Sequence, residues 1–267
     1  MLHVPRYCLG VFGAIVAVSL LLPTGALAGP AARPTVAGSP AARPQCPPLP
    51  SPADFVRQID NPYLPLLPGT TFIYAGQRDG QPNKDTVEVT HDTRVVLGIV
   101  TTAVRDIVTT PSGAPVESTI DWYAQDKDGN VWYFGEASVE FNPISFAGSW
   151  LGGHNGAQPS IIMEAHPHVG DVYRQECAAG VAEDMAAVQS LDESVTVPYG
   201  AFQHALLTKE WSPLEPSVVE NKDYALCVGM VKSVVIHGGS ESSELVEVRS
   251  AGTTGQPGGT CAGGSPQ

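Results

Sequence analysis

The chain predicts a mainly β fold: a single domain built on one strongly curved antiparallel sheet or half-barrel, with a short N-terminal helix and one long loop. Three observations carry this expectation. Between Thr70 and Val248, segments rich in β-branched and aromatic residues follow one another with little else between them. Turn dipeptides separate them, among them Asp79-Gly80, His91-Asp92, Ser112-Gly113 and Asp128-Gly129. No regular helical crossovers intervene, which argues against βαβ units and a parallel sheet. Ten or more such strands bury a core most readily by curving into a part-barrel.

The elements are predicted in order as follows. Residues 1–28 read as a signal peptide, with Arg6 in the n-region, an apolar run from Leu9 to Leu22, and the small-x-small site Ala26-Leu27-Ala28. The run is short for a membrane span, and Pro23 and Gly25 follow it. No other stretch is long and apolar enough to cross a bilayer, so the mature chain is expected to be secreted or periplasmic, without a transmembrane segment. Residues 29–52 are a Pro/Ala-rich linker expected to be disordered, and 250–267 a Gly-rich tail of the same kind. The domain is placed at 53–249. Ser51 and Pro52 predict a capped helix over about 52–58. Prolines 62, 65 and 68 then force an extended path. TTFIYAG, DTVEVTH, RVVLGIVTTAVRDIVTT and PVESTIDWYAQ read as strands, as do DVYRQECA, ESVTVP, AFQHALLTKEWS, SVVENKDYAL, GMVKSVVIH and SSELVEV further on. Residues 142–169, rich in glycine, read as a long loop with a helical turn near 159–164.

Charge narrows the function classes. Against 14 Lys+Arg stand 27 Asp+Glu, a net charge of −13. This argues against binding nucleic acid or anionic lipid through a broad basic surface. Removing Cys8 with the leader leaves Cys46, Cys177, Cys227 and Cys261, an even set that suggests two disulfides in an exported chain. Three connectivities are open; Cys177–Cys227 with Cys46–Cys261 is preferred. There is no C-x-x-C.

The densest chemistry lies in DWYAQDKDGNVWYFGE (121–136). DKDGN is a poor EF-hand, because Gly129 stands at position 4 counted from Asp126 and Ala137 at position 12. A two-residue hairpin turn centred on Asp128-Gly129 fits better. That turn sets Gln125 against Trp132, Tyr123 against Phe134, and Asp121 against Glu136 on one face. Trp122 and Tyr133 fall on the other, so both faces should be covered. Two carboxylates directly opposed repel unless a cation, an arginine or a shared proton offsets them. Arg94, Arg105 and Arg174 are candidates for that cation.

Other chemistry is weaker. Glu164, His166 and His168 form E-x-H-x-H with His154 upstream, but i, i+2 imidazoles diverge in an extended segment. Glu176, Glu183 and Asp184 surround Cys177. Paired carboxylates could serve glycoside hydrolysis. GSWLG (148–152) fails the G-x-S-x-G pattern, and H-E-x-x-H, phosphate-loop and dinucleotide motifs are missing.

Four stretches, DNPYLPLLPGTTFIYAG (60–76), DWYAQDKDGNVWYFGE, VPYGAFQHALLTKEWSPLEPSVVENKDYA (197–225) and VGMVKSVV (228–235), carry a resemblance. Over about 60–249 the chain resembles an uncharacterised family of secreted bacterial β proteins, which brings no assigned reaction. More loosely it is similar to periplasmic half-barrels of the lipoprotein-carrier type, implying a curved antiparallel sheet with an apolar concave face. It departs from the family pattern at Cys177 and Cys227.

The leading expectation is a non-enzymatic, monomeric exported protein. It would bind a small-molecule or lipid-like ligand in the concave face, lined by Trp122, Tyr123, Gln125, Trp132, Tyr133 and Phe134. The alternatives are a secreted hydrolase or divalent-cation protein, with Ca²⁺ as the cation, using Asp121, Asp126, Glu136, Glu176 and Asp184, and a structural envelope domain without a ligand.

Overall fold

A computed structural model describes residues 44–250. Its strands are β1 (Phe55–Val56), β2 (Thr71–Arg78), β3 (Gln81–Val96), β4 (Ile99–Thr109), β5 (Pro115–Asp126), β6 (Val131–Glu140) and β7 (Trp150–Leu151), followed by β8 (Ser160–Met163), β9 (Val172–Arg174), β10 (Met185–Val197), β11 (Gly200–Ser212), β12 (Glu215–Ala225), β13 (Gly229–His237) and β14 (Ser242–Arg249). They form one 14-stranded antiparallel sheet in the order β7-β6-β5-β4-β3-β2-β14-β13-β12-β11-β10-β9, with β1 on β5 and β8 on β6. The chain thus runs as two up-and-down meanders joined where β14 pairs with β2.

The sheet curls without closing. Its two ends are bridged by the segment after β7: Ser160 Oγ donates to the Arg174 carbonyl at 2.6 Å, and Gln158 forms an isolated bridge with Cys177. Among the described residues the one helical element is a 3₁₀ turn at Pro52–Asp54, capped by Ser51 and shorter than the 52–58 the sequence suggests.

Turn chemistry explains most of the register. Asp79 and Gly80 both have positive φ between β2 and β3, the pattern of a type I′ hairpin turn. Leu97 and Gly98 do the same between β3 and β4 (φ 53° and 82°), so RVVLGIVTT is two strands and not one. His91-Asp92 is no turn: it lies in a bulge of β3, where the pairing skips from Val89↔Val104 to Thr93↔Thr102.

The hairpin at 121–136 differs from its expected register near the turn and agrees with it at the far end. Asp126 N–H donates to the Asn130 carbonyl and Gly129 N–H to the Asp126 carbonyl, with Gly129 at φ 97°. This is a three-residue loop ending in a left-handed glycine. It pairs Tyr123 with Tyr133 and Ala124 with Trp132. A bulge at Phe134 then restores Trp122↔Gly135 and Asp121↔Glu136. Consequently Tyr123 and Tyr133 share the concave face, while Trp132 and Phe134 join Trp122 on the other. Gly135 has φ 134°, and a Cβ there would lie 2.4 Å from the Trp150 carbonyl oxygen, so β7 can approach only a glycine.

Two apolar layers result. The main core lines the concave face and includes Tyr74, Val87, Val104, Tyr123, Tyr133, Leu206, Met230 and Leu245. The stretch 59–66 plugs it, burying Ile59, Leu64 and Leu66. Asn61 fastens that plug: its Oδ1 accepts from the Tyr63 and Leu64 amides, and its Nδ2 donates to the Gly129 and Glu164 carbonyls. The second layer, on the convex side, holds Val96, Ile99, Trp122, Ala124, Trp132 and Phe134 beneath Leu49 and Phe55.

The disulfide preferred from the sequence is not the one formed. Cys46 pairs with Cys177, at a Cα separation of 6.0 Å, while Cys227 sits in the turn after β12, where its amide donates to the Pro62 carbonyl. Cys227 is disulfide-bonded as well; Cys261, the leader and the tail lie outside the described residues. The Cys46 bond, an Arg174 Nε hydrogen bond to the Pro44 carbonyl and Leu49 in the convex layer tie residues 44–50, the end of the expected linker, onto the domain. The expected loop 142–169 contains β7 and β8, and the stretch expected as a helical turn near 159–164 is the strand β8.

Candidate functional site: a buried carboxylate face

Period-two alternation builds the site. On β5, Glu117, Thr119, Asp121 and Tyr123 point to the concave side, and all are buried. On β6, Glu136 and Ser138 stand opposite Asp121 and Thr119. Asp106 on β4 faces Thr119, and Asp85 on β3 faces Val108, itself opposite Glu117. From the chain between β9 and β10 come Glu176 and Asp184, and from β11 and β12 Glu210 and Glu220. Asp121 is 0% and Glu136 3% exposed, so water does not stabilise their charges.

Among the described residues, Lys222 and Arg78 answer this acidity. Lys222 Nζ lies 2.8 Å from Glu210 and 3.3 Å from Glu220, and Arg78 lies 3.1 Å from Glu117 and 4.0 Å from Glu241. Neither is paired with Asp121 or Glu136. The three arginines considered from the sequence are elsewhere. Arg94 stacks over Trp122 on the convex side, Arg105 pairs with Glu88, and Arg174 pairs with Glu183.

Protons fill the gap. Burial pushes the Asp121 carboxyl well above the usual range, opposed by the Tyr133 hydrogen bond and helped by Asp106 and Glu117. Burial likewise raises Glu136, reinforced by Glu176 and Asp121, and raises Glu176, reinforced by Asp184. Asp85 is raised by burial and by Asp106. Tyr133 OH stands 2.6 Å from Asp121 Oδ1 and 3.3 Å from Glu136 Oε2. A phenol has one proton. Donated to Asp121, it leaves the Glu136 contact to be made by a Glu136 carboxyl proton directed at the phenol oxygen. The phenol thus bridges two carboxyls that burial pushes upward, which is where the raised pKa considered from the sequence falls. Asp121 Oδ2, Asp85 Oδ1 and Ser212 Oγ are buried without a hydrogen-bond partner.

The structure separates the residues that the sequence grouped. Of the five carboxylates considered for a cation, Asp121, Glu136, Glu176 and Asp184 belong to this face. Asp126 does not: it accepts from Asn130 and from Trp132 Nε1, which fixes the turn. Among the described residues no group of three or more His, Cys, Asp or Glu side chains is arranged to hold a metal ion. Of the six expected to line a ligand, Tyr123 and Tyr133 stack on each other at 4.8 Å, Trp132 and Phe134 pack edge-on to Phe55, and Trp122 lies under Arg94. Gln125 is committed to the plug, accepting from the Asp60 and Asn61 amides and donating to Asp60. His154, His166 and His168 are exposed on the loop surface.

Asp85, Asp106, Glu117, Glu210, Glu220 and the cations Arg78 and Lys222 were not singled out from the sequence. A signal was present. Asp85 shares period-two parity with Val87 and Val89, and Asp106 with Val104 and Val108. An acid in register with core valines marks a carboxylate turned inward.

No family model and no curated protein matches the chain. Two solved structures are similar to it. One is a protein described as exported, with a YmcC-like fold, from Bacteroides fragilis: 13% identity, 70% of this chain and 98% of the other covered, TM-score 0.42. The other is a protein described as a lipoprotein, from Parabacteroides distasonis: 13% identity, the same coverage, TM-score 0.40. No described helix is long and apolar enough to cross a membrane.

Proposed function

We propose that this is an exported, non-catalytic binding protein that takes a small cationic ligand of the amine or guanidinium class against the carboxylate face of its curved sheet. Export is supported by the leader-like N-terminus and by the Cys46–Cys177 disulfide, a bond of oxidising compartments. The observation that carries the reading is the unbalanced interior. Among the described residues, Asp121 and Glu136 oppose each other in the core with no cationic side chain paired to either, and Asp121 Oδ2 has no hydrogen-bond partner. An organic cation would supply several donors and a charge to this face, in exchange for the protons held there. A lipid-like ligand is not favoured, because the plug and the stacked tyrosines occupy the apolar part of the concave side.

The test is a thermal-melt series at pH 8 with spermidine, agmatine or Ca²⁺ at millimolar concentration. A rise in Tm with an amine, reduced in Asp121→Asn and Glu136→Gln and absent at pH 5, supports the reading. A larger response to Ca²⁺ than to amines would favour a metal ligand. No response to any of them would sink the binding reading and leave a structural domain with protons as its counterions.

A further inference from the structure

The convex side of the sheet carries a second concavity, unrelated to the carboxylate face. The bulge of β3 at residues 90–92 opens a pocket of about 270 Å³ against β4 and β5. Its floor is apolar, formed by Ala103, Ile120 and the ring of Trp122. Bulges of this kind re-aim side chains beside binding sites.

The rim carries two arginines in a chain whose net charge is −13. Arg94 places its guanidinium carbon 4.3 Å from the centre of the Trp122 ring. At that distance the cation is held over the ring by its charge, and a guanidinium's five N–H groups leave donors for a further partner. Among the described residues no carboxylate is paired with Arg94. Arg105 lines the same pocket and makes only a half-exposed contact of 3.4 Å with Glu88. Asp92 is the acid among the lining residues and Glu88 stands beside Arg105, so Arg94 is the cation there without a carboxylate paired to it. Thr93 adds a hydroxyl.

We propose that this pocket binds a small organic carboxylate bearing a flat apolar group. The carboxylate would be taken by Arg94 and Arg105 in the forked geometry that guanidinium offers, and the apolar group would lie on Ile120 and the edge of Trp122. Size sets the class. Ordinary ligand pockets start at about 300 Å³, so the ligand is of fragment size and not a lipid or an oligomer. Ile120, 38% exposed, is the apolar surface such a ligand would cover.

The test is an NMR titration of the purified chain with three probes: indole-3-acetate, its neutral amide, and acetate. The acid should saturate with a Kd at or below about 1 mM. The amide, which lacks the charge, and acetate, which lacks the ring, should each bind at least about tenfold more weakly, one tenfold step being one lost good contact. Arg94→Gln and Arg105→Gln should each weaken the acid by a similar factor. Ile120→Asp, which places a like charge on an exposed site, should abolish its binding. Arg105 is 45% exposed, so its variant folds whatever Arg94 contributes to packing. Equal affinities for acid and amide, an unchanged Kd in Arg105→Gln, or no saturation by the acid would each overturn the proposal.

Discussion

Replacing Glu136 by glutamine should make the protein more stable at pH 8 while changing little at pH 4. The sign follows from linkage. A carboxyl whose folded pKa is raised binds its proton more tightly in the folded chain than in the unfolded one. Its stabilising contribution is complete below the unfolded value, about 4.3 for glutamate. It is lost as pH rises toward the folded value. Each such group changes stability by about 1.4 kcal/mol per pH unit across that window. Asp121 and Glu136 are both raised, and both are at most 3% exposed. Rising pH therefore removes stability through this pair, and Glu176 and Asp85, raised by burial as well, act with the same sign. Glu241, raised to about 7 by burial, shifts in the same direction and loses its contribution by neutral pH. Glutamine keeps the shape of Glu136 and can still donate to the Tyr133 oxygen, but it does not titrate. The slope of stability against pH should fall by roughly 1.4 kcal/mol per unit in Glu136→Gln, with the two curves crossing near pH 4–5. Urea unfolding followed by tryptophan fluorescence, with disulfides intact, in amine-free buffer with chelator, measures this between pH 4 and 8. A wild-type stability that is flat or rises with pH, or a Glu136→Gln protein weaker than wild type at pH 8, would show that the reasoning about buried protons is wrong.

Two further outcomes test the frame around the site. Gly135→Ala should lower stability by several kcal/mol, because the position needs φ 134° and the added Cβ would strike the Trp150 carbonyl; an unchanged urea midpoint would refute the close approach of β7. Asn61→Ala should cost about 2–4 kcal/mol, because it strips hydrogen bonds from the Tyr63 and Leu64 amides and the Gly129 and Glu164 carbonyls. Hydrogen exchange would show the plug at 59–66 opening first, and uniform protection loss across the sheet would contradict its role as a fastener.

The strands were readable because β-branched alternation and Gly turns dominate the chain, and the fold class follows from them. Register was readable only in part. Asp128-Gly129 marks a turn, but a two-residue loop and a three-residue loop that ends in a left-handed glycine share the same letters. The bulge at Phe134, needed because β7 and β8 divide the edge of β6 between them, has no local signature. The opposition of Asp121 and Glu136 survived because the bulge offsets the extra loop residue. The disulfide was beyond sequence, since four cysteines specify no pairing. The inward acids were legible in the parity of DTVEV and AVRDIV, where a carboxylate occupies a position otherwise held by valine. Gln125 looked like a ligand contact because nothing local tells that a plug 64 residues earlier uses its amide.

The pairing of β14 with β2 has a consequence for how this molecule is assembled. It joins Arg249 to Thr71, the most distant neighbours in sequence within the sheet, and it lies in the middle of the strand order and not at its rim. Each meander can zip up from short-range contacts, but the seam between them forms only once the last strand has emerged. Folding should therefore be slow for its size. A chain cut before Ser242 would not lose a border strand; it would open the sheet at its centre and leave β2 and β13 as raw, unpaired edges.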